Sequence, residues 1–181
     1  AEFLPPVNNQ ITELDVETAL AFDNGMAVVS LTGGELLTQI ELSMDSDLVR
    51  DDRGEPTTPL QLVVNGKFSQ TAGMDIEYDI SRPAGKRVTK LTLSNGDKLV
   101  TGGAINALNA NKTYRIVTLT FLADGNESIM GDIPAERLQR KDLKKLTPIK
   151  EGAFDFAEAG GEQDAFAEYM KMKYSENAYR E

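Results

Sequence analysis

The sequence predicts an α+β fold, in which a mixed β-sheet is flanked by helices. Through Met74–Ile80, apolar and acidic residues alternate, which is the pattern of a half-buried strand. A threonine followed three residues later by an acidic residue, at Thr12 and again at Thr32, is the sequence signature of a helix start. Near the end of the chain, Gln163–Tyr174 repeats apolar residues at helical spacing.

Local signals place the other elements. Thr12 with Asp15, and Thr32 with Glu35, each form a predicted capping box, and Asn95-Gly96 is a hairpin signal. The predicted elements, in chain order, are a helix at Glu13–Leu20, a strand buried on both faces at Met26–Leu31, a helix opened by Thr32 and carrying Leu36, Leu37, Ile40 and Met44, strands at Lys67–Thr71, Met74–Ile80, Val88–Ser94 and Tyr114–Ala123, a partly helical region at Gly131–Lys150, and a closing helix at Gln163–Tyr174.

Residues 45–58 form a polar, acidic connector that we predict to be a mobile loop. Its carboxylates are of the hard-oxygen type that binds Ca²⁺, but the stretch lacks the twelve-residue calcium loop with its central glycine and final bidentate glutamate. A solvated acidic loop is the prediction. The acids concerned are Asp45, Asp47, Asp51, Asp52 and Glu55.

Composition restricts the class of protein. With 181 residues, 40% of them hydrophobic and 27% charged, the chain is expected to form one globular domain with a substantial core. No apolar stretch approaches the ~20 residues that span a bilayer, so no membrane partner is predicted. The net charge of −10 argues against a nucleic-acid polymer as partner. The densest basic stretch, Arg137–Lys150, is interleaved with leucines and is predicted to be the solvated face of a packed segment.

The chain contains neither histidine nor cysteine. Disulfides, Ser-His-Asp and Cys-His mechanisms, and the usual His/Cys zinc site are therefore excluded within it. The alternating acids Asp75, Glu77 and Asp79 are predicted to be the solvent side of a strand rather than a pair of catalytic carboxylates. No catalytic residue and no metal ligand is assigned to this chain, which is not expected to be catalytic by itself.

One stretch carries a specific resemblance. Phe68-x-Gln70-x-x-Gly73, followed by Tyr78-Asp-x-Ser-Arg-Pro-x-Gly-x-Arg-Val88, closely resembles the C-terminal domain of the 5'-nucleotidase family. Further matching runs, in the family's order and spacing, are Ile11–Val16, Phe22–Asn24, Leu31–Leu36, Tyr114–Ala123 and Gly161–Tyr169.

The resemblance implies a two-domain, secreted enzyme in which a metallophosphoesterase domain precedes a nucleotide-binding domain. It implies that residues 1–181 are a single domain of the second kind, present without its N-terminal portion. No cofactor is expected in this chain, and divalent metals are expected in the missing catalytic domain. The implied partners are that metallophosphoesterase domain, or a fragment of the same protein, and a nucleotide or nucleoside. The implied location is periplasmic or extracellular.

The family's Asn-x-Gly-Gly-x-Arg stretch, whose arginine grips substrate, normally lies just ahead of the Ile-Thr-x-x-Asp run. At that spacing its arginine would immediately precede Ala1. The resemblance therefore leads to the expectation that the chain is the C-terminal fragment of a longer protein cut by a trypsin-like protease.

The resemblance also implies four substrate-binding residues. Phe22 and Phe121 match the two aromatic residues that stack on either side of the base, and each such contact is worth roughly 1–3 kcal/mol. Asn24 and Glu127 match positions that hydrogen-bond base, ribose or phosphate. From the residues alone, a phenylalanine at a helix end or strand end is more often a core residue. Asn24-Gly25 is equally typical of a turn with positive φ, and the turn is the favoured interpretation of Asn24.

The sequence departs from the family after Phe121. The family's Phe-Leu-Ala-x-Gly-Gly-Asp-Gly stands here as Phe121-Leu-Ala-Asp-Gly-Asn-Glu-Ser128. Asn126 replaces the second glycine and tolerates left-handed angles, so the turn is expected to survive, while Glu127 keeps the carboxylate but adds a methylene. The alternative function is therefore a degenerate, non-catalytic structural or interaction module of a secreted or surface protein.

Overall fold

The computed structural model describes residues 11–63, 66–143 and 156–173. The elements, in chain order, are α1 (Glu13–Ala19), β1 (Met26–Thr32), α2 (Gly33–Ser43), β2 (Met74–Tyr78), β3 (Val88–Leu93), β4 (Lys98–Thr101), β5 (Ala104–Ile105), α3 (Ala107–Ala110), β6 (Thr113–Leu119), α4 (Thr120–Ala123), a 3₁₀ turn (Ile129–Asp132), α5 (Ala135–Leu138), β7 (Lys141–Asp142) and α6 (Glu162–Lys173). The predicted α+β class is confirmed.

The chain divides into two compact units. The first comprises residues up to Val29, Ile116–Asn126 and the residues from Pro134 onward. The second comprises Ser30–Arg115 and Glu127–Ile133.

In the first unit, α1 contacts α6, and β6 (from Ile116), β1 (up to Val29) and β7 follow the order β6–β1–β7. β1 and β7 are antiparallel, with Ala27 opposite Asp142. The predicted capping box of α1 is confirmed, because Asp15 N donates to Thr12 Oγ1 and Thr12 N donates to Asp15 Oδ2. The hydrogen bonds that Thr12 donates to the Asp15 carboxylate, from its backbone N–H and from Oγ1, lower the pKa of that carboxyl. The buried apolar residues of the first unit are Val16, Ala27, Val29, Ala123, Leu138 and Ala167.

In the second unit, α2 contacts a four-stranded antiparallel sheet in the order β2–β3–β4–β5. The capping box of Thr32 and Glu35 is confirmed. The Asn95-Gly96 hairpin is confirmed as well, with Gly96 at φ 88° joining β3 to β4. Its buried apolar residues are Leu31, Leu36, Ile40, Met44, Val88, Leu91, Leu93, Leu99, Val100, Met130 and Ile133.

One strand prediction is wrong, and a second is confirmed only in part. Residues 67–71 form a turn and irregular chain instead of a strand, and the Phe68 ring packs against Tyr78 with 6.2 Å between centroids. The predicted strand Tyr114–Ala123 stops at Leu119, and α4 follows. Asp124 N donates to Thr120 O there and closes a helical turn. A short apolar run does not distinguish a strand from a helical turn by periodicity.

The region from Gly131 is partly helical, as predicted, through the 3₁₀ turn and α5, but it then enters β7. Residues 144–150 of that prediction, and Tyr174 of the closing helix, lie outside the described residues. The acidic connector is tied by backbone hydrogen bonds that include Val49 N to Gln61 O and Val63 N to Asp47 O. Its mobility stays a prediction. In the described ranges, every helix is too short or too polar to cross a bilayer.

Candidate functional site

Phe22 lies in the turn between α1 and β1, and 88% of it is exposed. The turn closes through Asp23 N, which donates to Leu20 O, and Asp23 takes a positive φ of 45°. A phenylalanine with this exposure contributes almost nothing to the hydrophobic core. The structure therefore rules out the core alternative for Phe22.

Asn24 is bonded on three sides to Glu162, the first residue of α6. Its backbone N–H and its side-chain Nδ2 both donate to Glu162 Oε1, at 2.9 and 3.1 Å, and its carbonyl accepts from Glu162 N at 2.9 Å. The predicted positive φ at Asn24-Gly25 is wrong, because Asp23 takes it instead. The Asn24 side chain is engaged with the protein itself. The chain turns at residues 20–22 and Gly25 forms a bridge with Gly161, so the turn predicted at Asn24-Gly25 is wrong in position.

Phe121 is the second residue of α4 and is 43% exposed. Its neighbour Thr120 donates its backbone N–H to Gly25 O at 2.8 Å. Because Gly25 follows Phe22 by three residues, this one bond joins the segments that carry the two rings. The first unit thus brings both predicted stacking residues to neighbouring turns, with both side chains open to solvent.

The turn after Phe121 closes without the family's glycine pair. Gly125 takes φ 90°, and Asn126 donates to Phe121 O from its backbone N at 3.3 Å and from Nδ2 at 3.1 Å. The expectation that Asn126 takes left-handed angles is wrong, because Glu127 does so, at φ 51°. Asn126 stabilises the turn through its side-chain amide instead. Glu127 is exposed and begins the part of the second unit in which Ser128 Oγ donates to Gln39 Oε1.

Sequence reasoning missed Arg140, which follows α5. Its guanidinium bonds Asp124 at the end of α4 through Nη1, and it donates from Nε to Asp142 Oδ1 at 2.6 Å. These two carboxylates, Asp124 first, raise the pKa of Arg140 above its usual value. Its position within the basic stretch 137–150 suggested only a solvated cation.

The signature turn, residues 79–88, occupies the second unit and is held by buried charge. Arg87 is 5% exposed, and its guanidinium donates to the carbonyls of Met44, Ser46 and Arg82. The buried Glu41 carboxylate of α2 accepts from Arg87 N at 2.9 Å and from Val88 N at 2.7 Å. At the other end, hydrogen bonds from Ser81 lower the pKa of the Asp79 carboxyl. The residues of the signature turn, which carry the most specific motif of the sequence, are therefore bonded to α2 through Glu41.

Over residues 11–63, 66–143 and 156–173, no three acidic side chains come together in a group that could hold a metal ion. In the acidic connector, Asp51 Oδ1 accepts from the backbone N–H of Arg53 and Glu55, which uses it within its own turn. In β2, Asp75 Oδ2 and Glu77 Oε1 lie 2.7 and 2.8 Å from Lys90 Nζ. The side chains of Asp75 and Glu77 are 66% and 61% exposed, so these two acids lie on the solvent side of the strand, as predicted.

The α+β fold and the signature turn together define the class of domain. The sequence profile of the family described as "5'-nucleotidase, C-terminal domain" matches residues 4–134. The chain belongs to this family.

Relatives agree with that assignment. The chain is 29% identical over 119 residues to a trifunctional nucleotide phosphoesterase protein of Bacillus subtilis, covering 65% of this chain and 7% of that protein. It is 28% identical over 106 residues to a 5'-nucleotidase of Diplobatis ommata, covering 51% of this chain and 18% of the relative. The chain thus spans less than a fifth of the length of either relative.

Two solved structures share the fold. A 5'-nucleotidase precursor from Thermus thermophilus superposes with a TM-score of 0.58 at 24% identity, over 90% of this chain and 25% of that one. The NAD nucleotidase of Haemophilus influenzae superposes with a TM-score of 0.55 at 18% identity, over 91% of this chain and 25% of that one.

Proposed function

We propose that this domain binds the nucleoside end of a nucleotide and presents the phosphate ester to a metal-bearing hydrolase domain of the same protein. The observation that supports it is the pair of solvent-exposed rings, Phe22 and Phe121, on two turns joined by the Thr120 N to Gly25 O hydrogen bond. Flat apolar faces held at the surface suit a planar, partly apolar guest such as a nucleobase. The names of the relatives, a nucleotide phosphoesterase and a 5'-nucleotidase, favour the same class of ligand.

In this proposal Phe22 and Phe121, both in the first unit, stack on the base. Asn24 contributes through the turn that it fixes, since its amide donates to Glu162. The partner domain is of the metallophosphoesterase type and supplies the divalent metals and the activated water. This chain supplies binding and orientation, which by themselves lower the barrier of a reaction between bound partners. We propose a periplasmic or extracellular location for the whole protein.

The test is an NMR titration of the 181-residue chain with adenosine, AMP and ribose 5-phosphate. We expect adenosine and AMP to shift the resonances of Phe22 and Phe121, and ribose 5-phosphate, which has no base, to leave them in place. Replacing Phe22 or Phe121 by alanine should weaken adenosine binding by at least about fivefold, since each base–aromatic contact is worth roughly 1–3 kcal/mol.

Phe68→Ala is the matched control, because Phe68 is 48% exposed but packs against Tyr78 in the second unit. It should leave the affinity for adenosine unchanged. If both ring variants bind adenosine as the unaltered chain does, the proposed function is wrong.

The second candidate function is a structural or interaction module without a ligand. The altered turn favours this second function. Glu127 takes a left-handed conformation, which is unfavourable for residues other than glycine, and Asn126 replaces a glycine of the family. This function would be supported instead if adenosine, AMP and UMP caused no resonance shifts at a 10-fold molar excess over a protein concentration of about 1 mM. Even weak ligands bind detectably at such concentrations.

A further inference from the structure

Both ring-bearing turns are fastened by side chains that lie beyond the part of the chain matched by the family profile. The match ends at residue 134, whereas Arg140 and Glu162 follow it. Glu162 bonds the Phe22 turn through Asn24, and Arg140 bonds the end of α4, which carries Phe121, through Asp124. All of these residues belong to the first unit.

The Glu162 contact is a tight, two-way bridge over 138 residues of sequence. Glu162 Oε1 accepts both N–H donors of Asn24, and the backbone N–H of Glu162 returns a bond to the Asn24 carbonyl. The next residue, Gln163, donates from Nε2 to Leu20 O at 2.9 Å, at the other end of the same turn. Two successive residues of α6 thus hold both ends of the segment that carries Phe22.

Gly161 allows the chain to fold tightly into α6. A Cβ at Gly161 would lie 2.9 Å from Glu158 O, which is too close, so a larger residue would shift the backbone that leads into α6; Asp23 Oδ1, at 3.4 Å, would be in ordinary contact. The start of α6 is itself fixed, because the buried Asp164 accepts from Gly160 N at 3.0 Å.

Arg140 anchors the helical turn that carries the second ring, Phe121. Its guanidinium bridges Asp124, which caps α4, and Asp142, which pairs with Ala27 in the sheet. The end of α4 is thereby tied to β7. Phe121 lies three residues before Asp124, in the same turn of helix.

We propose that Glu162 and Arg140 are positioning residues that hold the Phe22 and Phe121 turns in their ligand-ready arrangement. This inference rests on the proposed function. A ring that is 88% exposed has too little packing to set its own orientation, so its place depends on the backbone that carries it. A turn that is already ordered binds more tightly, because the ordering cost is met before the ligand arrives. The segment that follows the family match therefore tunes the affinity of the site.

The test at the first turn compares Glu162→Ala with Glu162→Gln and with Glu168→Ala, an exposed acid on the same helix. Glu162→Ala should weaken adenosine binding about two- to tenfold, the scale expected when one side chain must be ordered on binding. Glu162→Gln keeps an oxygen acceptor for Asn24 N and should restore most of the affinity. Glu168→Ala should have no effect.

A role in stability alone would lower the melting temperature and leave the affinity unchanged at 20 °C, and that outcome would overturn the inference. A second readout is the hydrogen exchange of the Asn24 amide, whose acceptor is Glu162 Oε1. It should accelerate in Glu162→Ala and not in Glu168→Ala. Glu162→Ala and Asn24→Ala should also be non-additive in affinity, because both remove the bond from Asn24 Nδ2 to Glu162 Oε1.

At the second turn, Arg140→Ala should weaken adenosine binding by a similar factor, and the control is Lys141→Ala, an exposed neighbouring cation. Unchanged affinity in Arg140→Ala would remove Arg140 from the inference. The outcomes separate the two proposals. If Phe22→Ala and Phe121→Ala abolish binding but Glu162→Ala and Arg140→Ala do not weaken it, the positioning inference fails and the proposed function stands. If the ring variants have no effect, the proposed function fails first.

Discussion

The signature turn and the ring-bearing turns solve opposite physical problems. In the signature turn, residues 79–88, the guanidinium of Arg87 is buried, and its donors end on carbonyl oxygens inside the second unit. In the ring-bearing turns, the apolar groups are the exposed ones, and polar anchors behind them hold the backbone. The comparison shows that the most specific family motif, the signature turn, holds the fold through buried polar contacts. The two rings suited to binding, Phe22 and Phe121, also lie in runs that match the family, and of the four candidate binding residues Glu127 is the one at which the chain departs from the family pattern.

The largest effect should come from Glu41 in α2, which satisfies the N–H groups of Arg87 and Val88. Glu41→Ala leaves two buried backbone donors without their acceptor. Each orphaned buried donor costs about 1–3 kcal/mol. We expect the free energy of unfolding, measured by urea denaturation, to fall by about 2–6 kcal/mol in total.

Glu41→Gln is the matched variant, because its amide oxygen can still accept one of the two bonds, and its loss should be about half as large. A Glu41→Ala chain as stable as the original would mean that the signature turn is not fastened through this carboxylate. The signature turn would then not be a region held by buried polar contacts, in contrast to what the hydrogen bonds of Glu41 indicate.

A smaller effect, of opposite sign, is expected at Glu127. A left-handed conformation costs an L residue about 1–2 kcal/mol, and glycine takes it freely at an entropic cost of about 0.5–1 kcal/mol. Glu127→Gly should therefore raise the free energy of unfolding by roughly 0.5–1 kcal/mol. Asn126→Gly should not, because Asn126 has no positive φ and its amide bonds Phe121 O. Thermal denaturation of the two variants side by side checks this.

Strain of this kind is typical of functional positions. If Glu127→Gly stabilises the chain and weakens adenosine binding, the carboxylate at this position is kept for the ligand. If Glu127→Gly binds adenosine as tightly as the original chain, Glu127 has no part in the site.

Tyr114 lies in the part of β6 that belongs to the second unit, and it makes the stability of the protein depend on pH in the alkaline range. Desolvation, and then the hydrogen bond to Asp97 Oδ2, raise the pKa of Tyr114 from 10.0 to about 12. Because the folded state holds this proton more tightly than the unfolded state, the contribution to stability is complete below pH 10 and is lost as pH rises towards 12.

Ultraviolet titration of the phenolic groups should show a late-ionising tyrosine that disappears in Tyr114→Phe. Asp97→Asn should lower the pKa of Tyr114 towards 10, because the carboxylate that opposes its ionisation is gone. Stability that is flat from pH 9 to 11.5 in the original chain would contradict the assignment.

The elements that the sequence predicted correctly are those set by neighbours in the chain. The capping boxes at Thr12 and Thr32 and the Asn95-Gly96 hairpin each depend on residues two or three positions apart. The strand predicted to run through Ala123 ends in α4, because a short apolar run carries no decisive period. The strand predicted at residues 67–71 holds a single apolar residue, Phe68, so no alternation supports it.

The contacts that sequence reasoning missed are distant in the chain. Glu41 and Arg87 are 46 residues apart, and Asn24 and Glu162 are 138 apart, so no local pattern marks either pair. Exposure was equally out of reach, because a lone phenylalanine in a turn has the same local sequence whether it packs inward or outward. The resemblance named Phe22 and Phe121, and only the structure shows their surfaces to be open.

The smallest expected effect is at Phe22 and is the most demanding test of the comparison. Replacing a buried phenylalanine by alanine costs about 3–5 kcal/mol, whereas substitutions at an exposed site usually stay within about 0.5 kcal/mol. Since Phe22 is 88% exposed, we expect Phe22→Ala to leave the free energy of unfolding unchanged within about 0.5 kcal/mol. A loss above about 2 kcal/mol by urea denaturation would place the ring in a core, and a core ring is not available for a base. Unchanged stability combined with lost adenosine binding would separate the two kinds of turn completely, one held for the fold and one exposed for the ligand.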